Sequence, residues 1–410
     1  MKVIFFVLSC SIMFTSNIGY SGTTGYVTFP YFLKYGIAIS WFLYSTIKGT
    51  IKEKGLIRRS KLKELNIYLY PVMIMSASLF IALLTNQQME GVFFSRSISN
   101  IFCYLCIVLC AFSCVNEFGI MSLIYSFYGL ILTITINLLC TIYIYGIFDV
   151  IKAVFNIFSI VGFQYDSGTV LSNIGYSLEV AEATFALGFY FIYMLFFDED
   201  KLFKKKHLAL CVIGMYLGLK RVEIVGIVIA ATVYKLYIKR VKSITKLRNI
   251  TFFVIISFSF LFVFILKYYT RLISIFDVSR TRLYYALSDM YRISPFYLGK
   301  GFGFVNMWLE KIGTKDWLLS VSHSDITRIY IEFGFILFLI WIYYYCIKLP
   351  KYASRLGNSN ATNIILCFIY YLLVTYLIDN TMTLFAVQFV FIVIPMGISK
   401  GYIKHRKLRI

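Results

Sequence analysis

The stretch DITRIYIEFGFILFLIWIYYY, residues 325–345, indicates the fold of this protein. From Phe333 onward it contains no charged residue, and its apolar run continues to residue 347. A helix of about twenty apolar residues crosses a hydrocarbon core of about 30 Å. The stretch therefore predicts a membrane helix, with Asp325, Arg328 and Glu332 close to its start.

The rest of the chain repeats this pattern. Its 410 residues are 60% hydrophobic, and the mean hydropathy is +0.78, far above that of ordinary globular proteins. We predict an all-α polytopic membrane protein in which residues 1–410 form a single membrane domain. About twelve transmembrane helices are expected, at approximately 3–16, 29–47, 67–85, 98–114, 119–147, 181–197, 207–219, 222–238, 250–267, 326–347, 362–378 and 382–398.

The basic residues give the expected orientation. The chain has 40 Lys and Arg against 19 Asp and Glu, a net charge of +21, which by itself would suit a nucleic-acid partner. These cations lie mainly in short clusters between the apolar segments, where basic clusters stay cytoplasmic during insertion. With twelve spans both termini are cytoplasmic, as are the clusters at 48–63, 201–206, 235–248, 348–355 and 400–409.

Residues 268–325, between predicted helices 9 and 10, form one large loop on the opposite side. Long loops translocate regardless of charge, so its cations do not contradict the topology. They either pair with Asp277, Asp289, Glu310, Asp316 and lipid headgroups or bind an anionic ligand, and we favour the ligand. The glycines in LGKGFGF, residues 298–304, either let the backbone approach a ligand closely or form a turn. The cations are Arg271, Arg280, Arg282, Arg292, Lys300, Lys311 and Lys315.

His323 is the only histidine that this topology places outside. Ser322 and Asp325 have the spacing of a capping box, which predicts that a helix begins at His323. The N-terminus of such a helix attracts anions. Glu332 lies inside the apolar run, where a carboxylate needs a partner. Arg328, one turn earlier, is the expected partner.

A second polar element is LGLKRVEIVG, residues 217–226, between predicted helices 7 and 8. Lys220 and Arg221 lie there in a short outer connection, although short outer loops usually avoid cations. A guanidinium group binds phosphate oxygens through two parallel hydrogen bonds. The pair therefore predicts contact with a phosphorylated ligand.

Two stretches resemble the O-antigen polymerase and O-antigen ligase superfamily. They are SRTRLYYALSDMYRISPFYLGKGFG, residues 279–303, and SHSDITRIYIEFGF, residues 322–335. Ser324 departs from the asparagine that often follows the histidine in that family, and the spacing from proline to glycine is one residue longer. Arg221 resembles an earlier arginine of the family pattern. The other matching positions are Arg280, Tyr284, Pro295, Gly299, Gly301, His323, Glu332 and Gly334.

The resemblance implies a metal-independent glycosyltransferase of the GT-C type, without a cofactor, at the periplasmic face of the bacterial inner membrane. Its implied donor and acceptor are undecaprenyl-diphosphate-linked oligosaccharides. Membrane lipids and a chain-length regulator are the other expected partners, with no nucleic acid. The implied catalytic residues are His323, Arg221 and Arg280. The implied substrate-binding residues are Lys220, Arg282, Arg328, Tyr284, Gly301 and Glu332.

The role of His323 stays open between a base for the acceptor hydroxyl and a hydrogen-bond donor to the diphosphate. The overall function also has alternatives. An O-antigen ligase would use the same donor and pass the glycan to lipid A core. A lipid-linked oligosaccharide flippase would place cations along a cavity within its spans, whereas these spans are nearly free of cations. The 34 Tyr and 40 Phe, and divergence outside the motifs, favour a polymerase.

Overall fold

The computed structural model describes most of the chain. The described ranges are 1–15, 17–21, 25–28, 31–52, 59–85, 91–160, 170–198, 201–218, 220–241, 243–269, 281–312, 324–355 and 359–407. Nearly all of these residues are helical, and one short antiparallel hairpin joins β1 (Asn17–Ser21) to β2 (Gly25–Thr28).

The helices follow one another along the chain. Two π-helical turns, Tyr234–Ile238 and Tyr344–Lys348, continue the helices that precede them. The helices are α1 Lys2–Met13, α2 Tyr31–Lys52, α3 Arg59–Tyr68, α4 Tyr70–Leu84, α5 Gly91–Phe118, α6 Met121–Tyr145, α7 Ile147–Ile160, α8 Val170–Leu178, α9 Ala181–Phe196, α10 Lys205–Gly218, α11 Arg221–Val233, α12 Ile244–Tyr268, α13 Thr281–Ser288, α14 Phe304–Ile312, α15 Asp325–Tyr343, α16 Leu349–Arg355, α17 Ser359–Ile378 and α18 Phe385–Lys407.

Each of the twelve apolar segments predicted from the sequence overlaps one of these helices. Among the described residues, five helical segments are long and apolar enough to cross a membrane. The apolar helices α1, α4 and α9 and the first part of α18 are shorter. The five long segments are Phe93–Phe118, Met121–Tyr145, Ile244–Tyr268, Asp325–Arg355 and Asn360–Ile378.

The chain divides into two compact units, each assembled from separate segments. Unit 1 is Met1–Ile57, Leu109–Val228 and Leu384–Ile410, and unit 2 is Arg58–Val108 and Ile229–Thr383. Two of the boundaries between the units fall within helices, one in α5 and one in α11. The sequence at both boundaries is apolar.

In unit 1, small residues let helices approach closely. A Cβ added at Gly129 on α6 would lie 2.5 Å from the Cβ of Cys10 on α1, and one added at Gly218 on α10 would overlap the side chain of Thr184 on α9. Membrane helices commonly associate through such small residues, because lipid supplies no hydrophobic drive for their packing. Glycine at these positions therefore sets the packing of α1 on α6 and of α10 on α9.

In unit 2, α15 packs against α12 and α4. The ring of Phe260 on α12 lies 5.9 Å from the ring of Tyr330 and 5.5 Å from that of Phe338, both on α15. The apolar part of α17 is 83% buried inside the structure, whereas that of α12 is only 28% buried. Helix α12 thus presents most of its apolar side chains outward, as a lipid-facing helix does.

Candidate functional site

Helix α15 begins two residues later than the capping-box spacing predicts. Its N-cap is Ser324, whose Oγ accepts a hydrogen bond from the backbone N–H of Thr327 at 3.4 Å. A serine in this position satisfies one of the free N–H groups of the first turn. The predicted start at His323, with Ser322 as the cap, is therefore wrong. Both Ser322 and His323 lie outside the described residues, so the catalytic role of His323 stays a prediction.

Asp325 holds the start of α15 in place. Its Oδ1 lies 2.5 Å from Nη2 of Arg328, and its Oδ2 accepts a hydrogen bond from the backbone N–H of Met382 at 2.6 Å. The backbone N–H of Asp325 donates to the carbonyl of Asp379 at 3.3 Å. Because a buried carboxylate is stable only with partners of this kind, Asp325 ties α15 to the residues that follow α17.

The sequence suggested that Arg328 pairs with Glu332. In the structure Arg328 forms its ion pair with Asp325, one turn earlier. Its side chain is 1% exposed, and within the described part of the chain none of its guanidinium nitrogens makes a geometrically good hydrogen bond. A buried guanidinium of this kind depends strongly on the carboxylates around it, and the carboxylate within ion-pair distance is that of Asp325. Arg328 lies in unit 2. Its predicted contact with substrate stays a prediction.

Glu332 has a different partner from the one expected. Its Oε1 accepts a hydrogen bond from the backbone N–H of Val305 at 3.1 Å, in the first turn of α14. A carboxylate at a helix N-terminus satisfies a free N–H and interacts favourably with the helix dipole. The Glu332 side chain is buried, so it anchors α14 to α15. Its predicted role in binding substrate remains a prediction.

Helix α15 is interrupted at Gly334, which has φ +73° and ψ −178°. The interruption frees backbone groups that an unbroken helix would pair internally. The segment 297–301 takes them up: Lys300 N–H donates to Ile331 O at 2.9 Å and Gly301 N–H to Glu332 O at 2.9 Å. The N–H of Phe335 donates to the carbonyl of Tyr297 at 2.8 Å. Irregular backbone inside a membrane protein is tolerated when protein groups satisfy it in this way.

The glycines of LGKGFGF make this docking possible. Gly299, Gly301 and Gly303 all have positive φ, between +85° and +92°, a region that other residues rarely adopt. A Cβ at Gly299 would lie 2.5 Å from the backbone nitrogen of Gly334. The sequence left two roles open for these glycines: they let the backbone approach a ligand closely, or they form a turn. The structure shows a turn packed on α15, and the N–H of Gly301 is already engaged there.

Tyr297 closes the joint between the glycine segment and α15. Its hydroxyl donates to the carbonyl of Ile331 at 2.9 Å, and its ring stacks on that of Tyr330 with centroids 5.6 Å apart. Burial raises the pKa of the Tyr297 phenol, so the hydroxyl stays protonated and keeps donating at neutral pH. We call the contact of residues 297–305 with residues 330–335 the glycine joint.

The predicted outer loop contains two helices, α13 and α14. Tyr284 on α13 is buried, whereas Arg292 is exposed and its carbonyl accepts a hydrogen bond from Tyr330 at 3.1 Å. Arg280 lies outside the described residues, and so does the side chain of Arg282, although Arg282 itself belongs to α13. The proposed diphosphate contacts of these arginines therefore stay predictions.

In unit 1, Lys220 and Arg221 lie at the start of α11. Lys220 forms an ion pair with Glu179. Arg221, the first residue of α11, is exposed. Glu223, two residues on, is completely buried, because residues two apart face different sides of a helix. Arg221 is thus accessible from outside unit 1, as binding of an anionic ligand would require.

A buried ion pair in unit 1 escaped the sequence analysis. Nζ of Lys34 on α2 lies 2.9 Å and 3.0 Å from the carboxyl oxygens of Glu182 on α9. Glu182 also accepts a hydrogen bond from the backbone N–H of Ala386 at 3.3 Å, at the start of α18. Both side chains are buried. The sequence could have indicated this pair, since each of the two residues is a lone charge at the edge of an apolar segment. Within the described ranges, no three His, Cys, Asp or Glu side chains group as metal ligands do.

Comparison with known proteins gives no match, either to a protein-family model, to a curated protein or to a solved structure. The class of the protein therefore follows from its own features. It is a helical protein with several apolar helices of a length that spans a membrane.

Proposed function

We propose that the protein is an O-antigen polymerase: a membrane glycosyltransferase that joins undecaprenyl-diphosphate-linked repeat units at the periplasmic face of the bacterial inner membrane. The observation that carries this proposal is the glycine joint. The two stretches that resemble the superfamily are separate in sequence, at residues 279–303 and 322–335, yet Gly299 and Gly301 of one contact Glu332 and Gly334 of the other. Four of the matching positions, Gly299, Gly301, Glu332 and Gly334, therefore meet in one structural element. It includes the helix whose N-cap, Ser324, follows His323 in the chain.

The chemistry of glycosyl transfer gives these residues their roles. The departing lipid diphosphate carries negative charge that must be stabilised, and positioned cations supply such stabilisation. We assign this role to Arg280 and Arg221. The acceptor hydroxyl must be oriented or deprotonated, for which a histidine is suited near neutral pH. The joint and the Asp325 contacts keep the first turns of α15 rigid, as a positioned catalytic group requires.

Ion pairs within unit 1 support the proposed topology. With twelve spans, residues 2, 48 and 117 lie on the cytoplasmic side, and Lys2 and Lys48 both pair with Glu117. Residues 179 and 220 lie on the periplasmic side, and Lys220 pairs with Glu179. An ion pair requires both groups to lie on the same side of the membrane. These contacts therefore agree with the sides that the twelve-span topology predicts.

Gene deletion followed by electrophoresis of surface polysaccharide tests the function. We expect a deletion strain to produce lipid A core carrying a single repeat unit, because transfer to core continues without polymerisation. Bare core with lipid-linked polymer still present would identify a ligase instead. Bare core without lipid-linked polymer would identify a flippase, and an unchanged ladder would contradict all three functions.

Arginine variants test the assignment of the diphosphate contacts. We expect Arg280→Ala and Arg221→Ala to abolish chain extension while the protein remains inserted at normal abundance. Lysine at either position should restore little activity, because it keeps the charge but loses the planar guanidinium. Arg292→Ala is the matched control, since Arg292 is exposed in the same predicted loop. Full activity of both alanine variants would refute the assignment.

A further inference from the structure

Unit 1 contains a cleft between the start of α1 and the middle of α2. Its volume is about 550 Å³, and its walls are mainly apolar. Phe5 and Tyr44 expose 64% and 44% of their surfaces, so the cleft opens to the outside of the helices. The lining side chains include Lys2, Phe5, Ile37, Ser40, Trp41 and Tyr44.

A cluster of charges stands at the edge of this cleft. Lys2 and Lys48 each form an ion pair with Glu117, at the end of α5. Both ammonium groups also lie near the ring of Tyr44, with distances of 5.1 Å and 5.9 Å to its centroid. Two cations thus share one carboxylate, and the cluster has a net positive charge.

The lysines remain open to a further anion. The side chains of Lys2 and Lys48 are 37% and 40% exposed, whereas that of Glu117 is only 10% exposed. Each ammonium carries three N–H donors, so its bond to Glu117 leaves donors for a second acceptor.

We propose that this cleft binds an anionic glycerophospholipid. Its apolar walls accommodate an acyl chain, and the lysine pair at its edge binds the phosphate of the headgroup. Basic pockets between membrane helices on the cytoplasmic side bind anionic headgroups by this combination of charge and apolar surface. The site lies in unit 1 and does not depend on the glycosyltransferase function. It assigns the lipid a binding position between α1 and α2.

Fluorescence quenching by brominated lipid tests the site, because Trp41 lines the cleft. The full-length protein is placed in phosphatidylcholine nanodiscs that contain increasing amounts of dibrominated phosphatidylglycerol. A parallel series uses dibrominated phosphatidylcholine. The signal of Trp41 is obtained as the difference from Trp41→Phe. We expect phosphatidylglycerol to quench Trp41 with about fivefold higher apparent affinity, the factor that one lysine near a membrane surface supplies.

Charge variants separate a lipid site from a purely structural ion pair. The double variant Lys2→Gln/Lys48→Gln should lose the preference for phosphatidylglycerol. Lys205→Gln/Lys206→Gln should keep it, because it removes the same charge from exposed lysines elsewhere in unit 1. Glu117→Gln should strengthen the preference, since it removes the competing carboxylate. A purely structural cluster predicts no gain in this variant.

Two outcomes would overturn the proposal. One is equal quenching of wild-type Trp41 by the two brominated lipids, a comparison that needs no charge variant to fold. The other is an unchanged preference in the double lysine variant, provided that it elutes as a single species in size-exclusion chromatography.

Discussion

Replacing Gly334 by alanine should disrupt the glycine joint. The backbone at Gly334, with φ +73° and ψ −178°, lies in a region that is essentially restricted to glycine, and a non-glycine residue there costs about 1–3 kcal/mol. Its added Cβ would also collide with the backbone of residues 297–299. If the segment moves away, three backbone hydrogen bonds are lost, each contributing about 1 kcal/mol.

The expected loss of stability for Gly334→Ala is therefore about 4–6 kcal/mol. For a chain of 410 residues the midpoint of thermal unfolding should fall by roughly 5–7 °C, at about 1.2 °C per kcal/mol. The measurement is thermal unfolding of the detergent-purified protein, followed by size-exclusion chromatography. Gly36→Ala is the matched control, because Gly36 lies in α2 and an added Cβ would meet no atom within 4 Å. It should be as stable as wild type or slightly more so.

A double variant sharpens this test. Gly299→Ala should destabilise by a similar amount, because its Cβ would meet the backbone of α15 from the other side of the joint. Since the joint opens only once, Gly299→Ala/Gly334→Ala should cost little more than either single change. Wild-type stability of Gly334→Ala would refute the interrupted helix and the docked segment. Fully additive losses would refute the coupling between them.

The remaining predictions concern buried charges and metal ions. Asp325→Ala should destabilise by about 3–5 kcal/mol, since it leaves Arg328 buried without its counter-ion; normal abundance and melting would contradict that ion pair. Lys34→Ala should cost a similar amount, and Lys34→Met/Glu182→Gln should recover part of it, as thermal unfolding would show; no recovery would mean that the pair is not the source of the loss. Chelation of divalent ions should leave polymerisation in vitro unchanged, and a loss that added Mg²⁺ restores would contradict a metal-independent mechanism.

The longest apolar segments were predictable because they are long and uniform. Twenty apolar residues have one stable state in a membrane, a helix with all backbone groups paired internally. The short amphipathic helices α13 and α14 were missed, since a few turns carry little periodic signal within a polar loop. The start of α15 was displaced by two residues, because Ser322 and Ser324 are both good caps and the contacts of Asp325 with residues after α17 favour the second.

The partners of the buried charges could not be predicted, because they are distant in sequence. Arg328 has acids at both i−3 and i+4, and spacing alone favours neither. The backbone N–H groups of Met382 and Val305, which bind Asp325 and Glu332, decide the arrangement. The interruption at Gly334 was hidden for a similar reason. A glycine within an apolar run is compatible with a continuous helix, and only the docking of a segment about thirty residues earlier makes positive φ favourable.

Chain extension by purified protein tests the central claim most directly. The wild-type protein and His323→Ala are incubated separately with undecaprenyl-diphosphate-linked repeat units, and the products are resolved by gel electrophoresis. We expect wild type to produce a ladder of extended chains and His323→Ala to leave single repeats, at equal protein abundance and thermal stability. A ladder of equal length from His323→Ala would remove the histidine from the catalytic site. Failure of the wild type to extend any chain would contradict the proposed function.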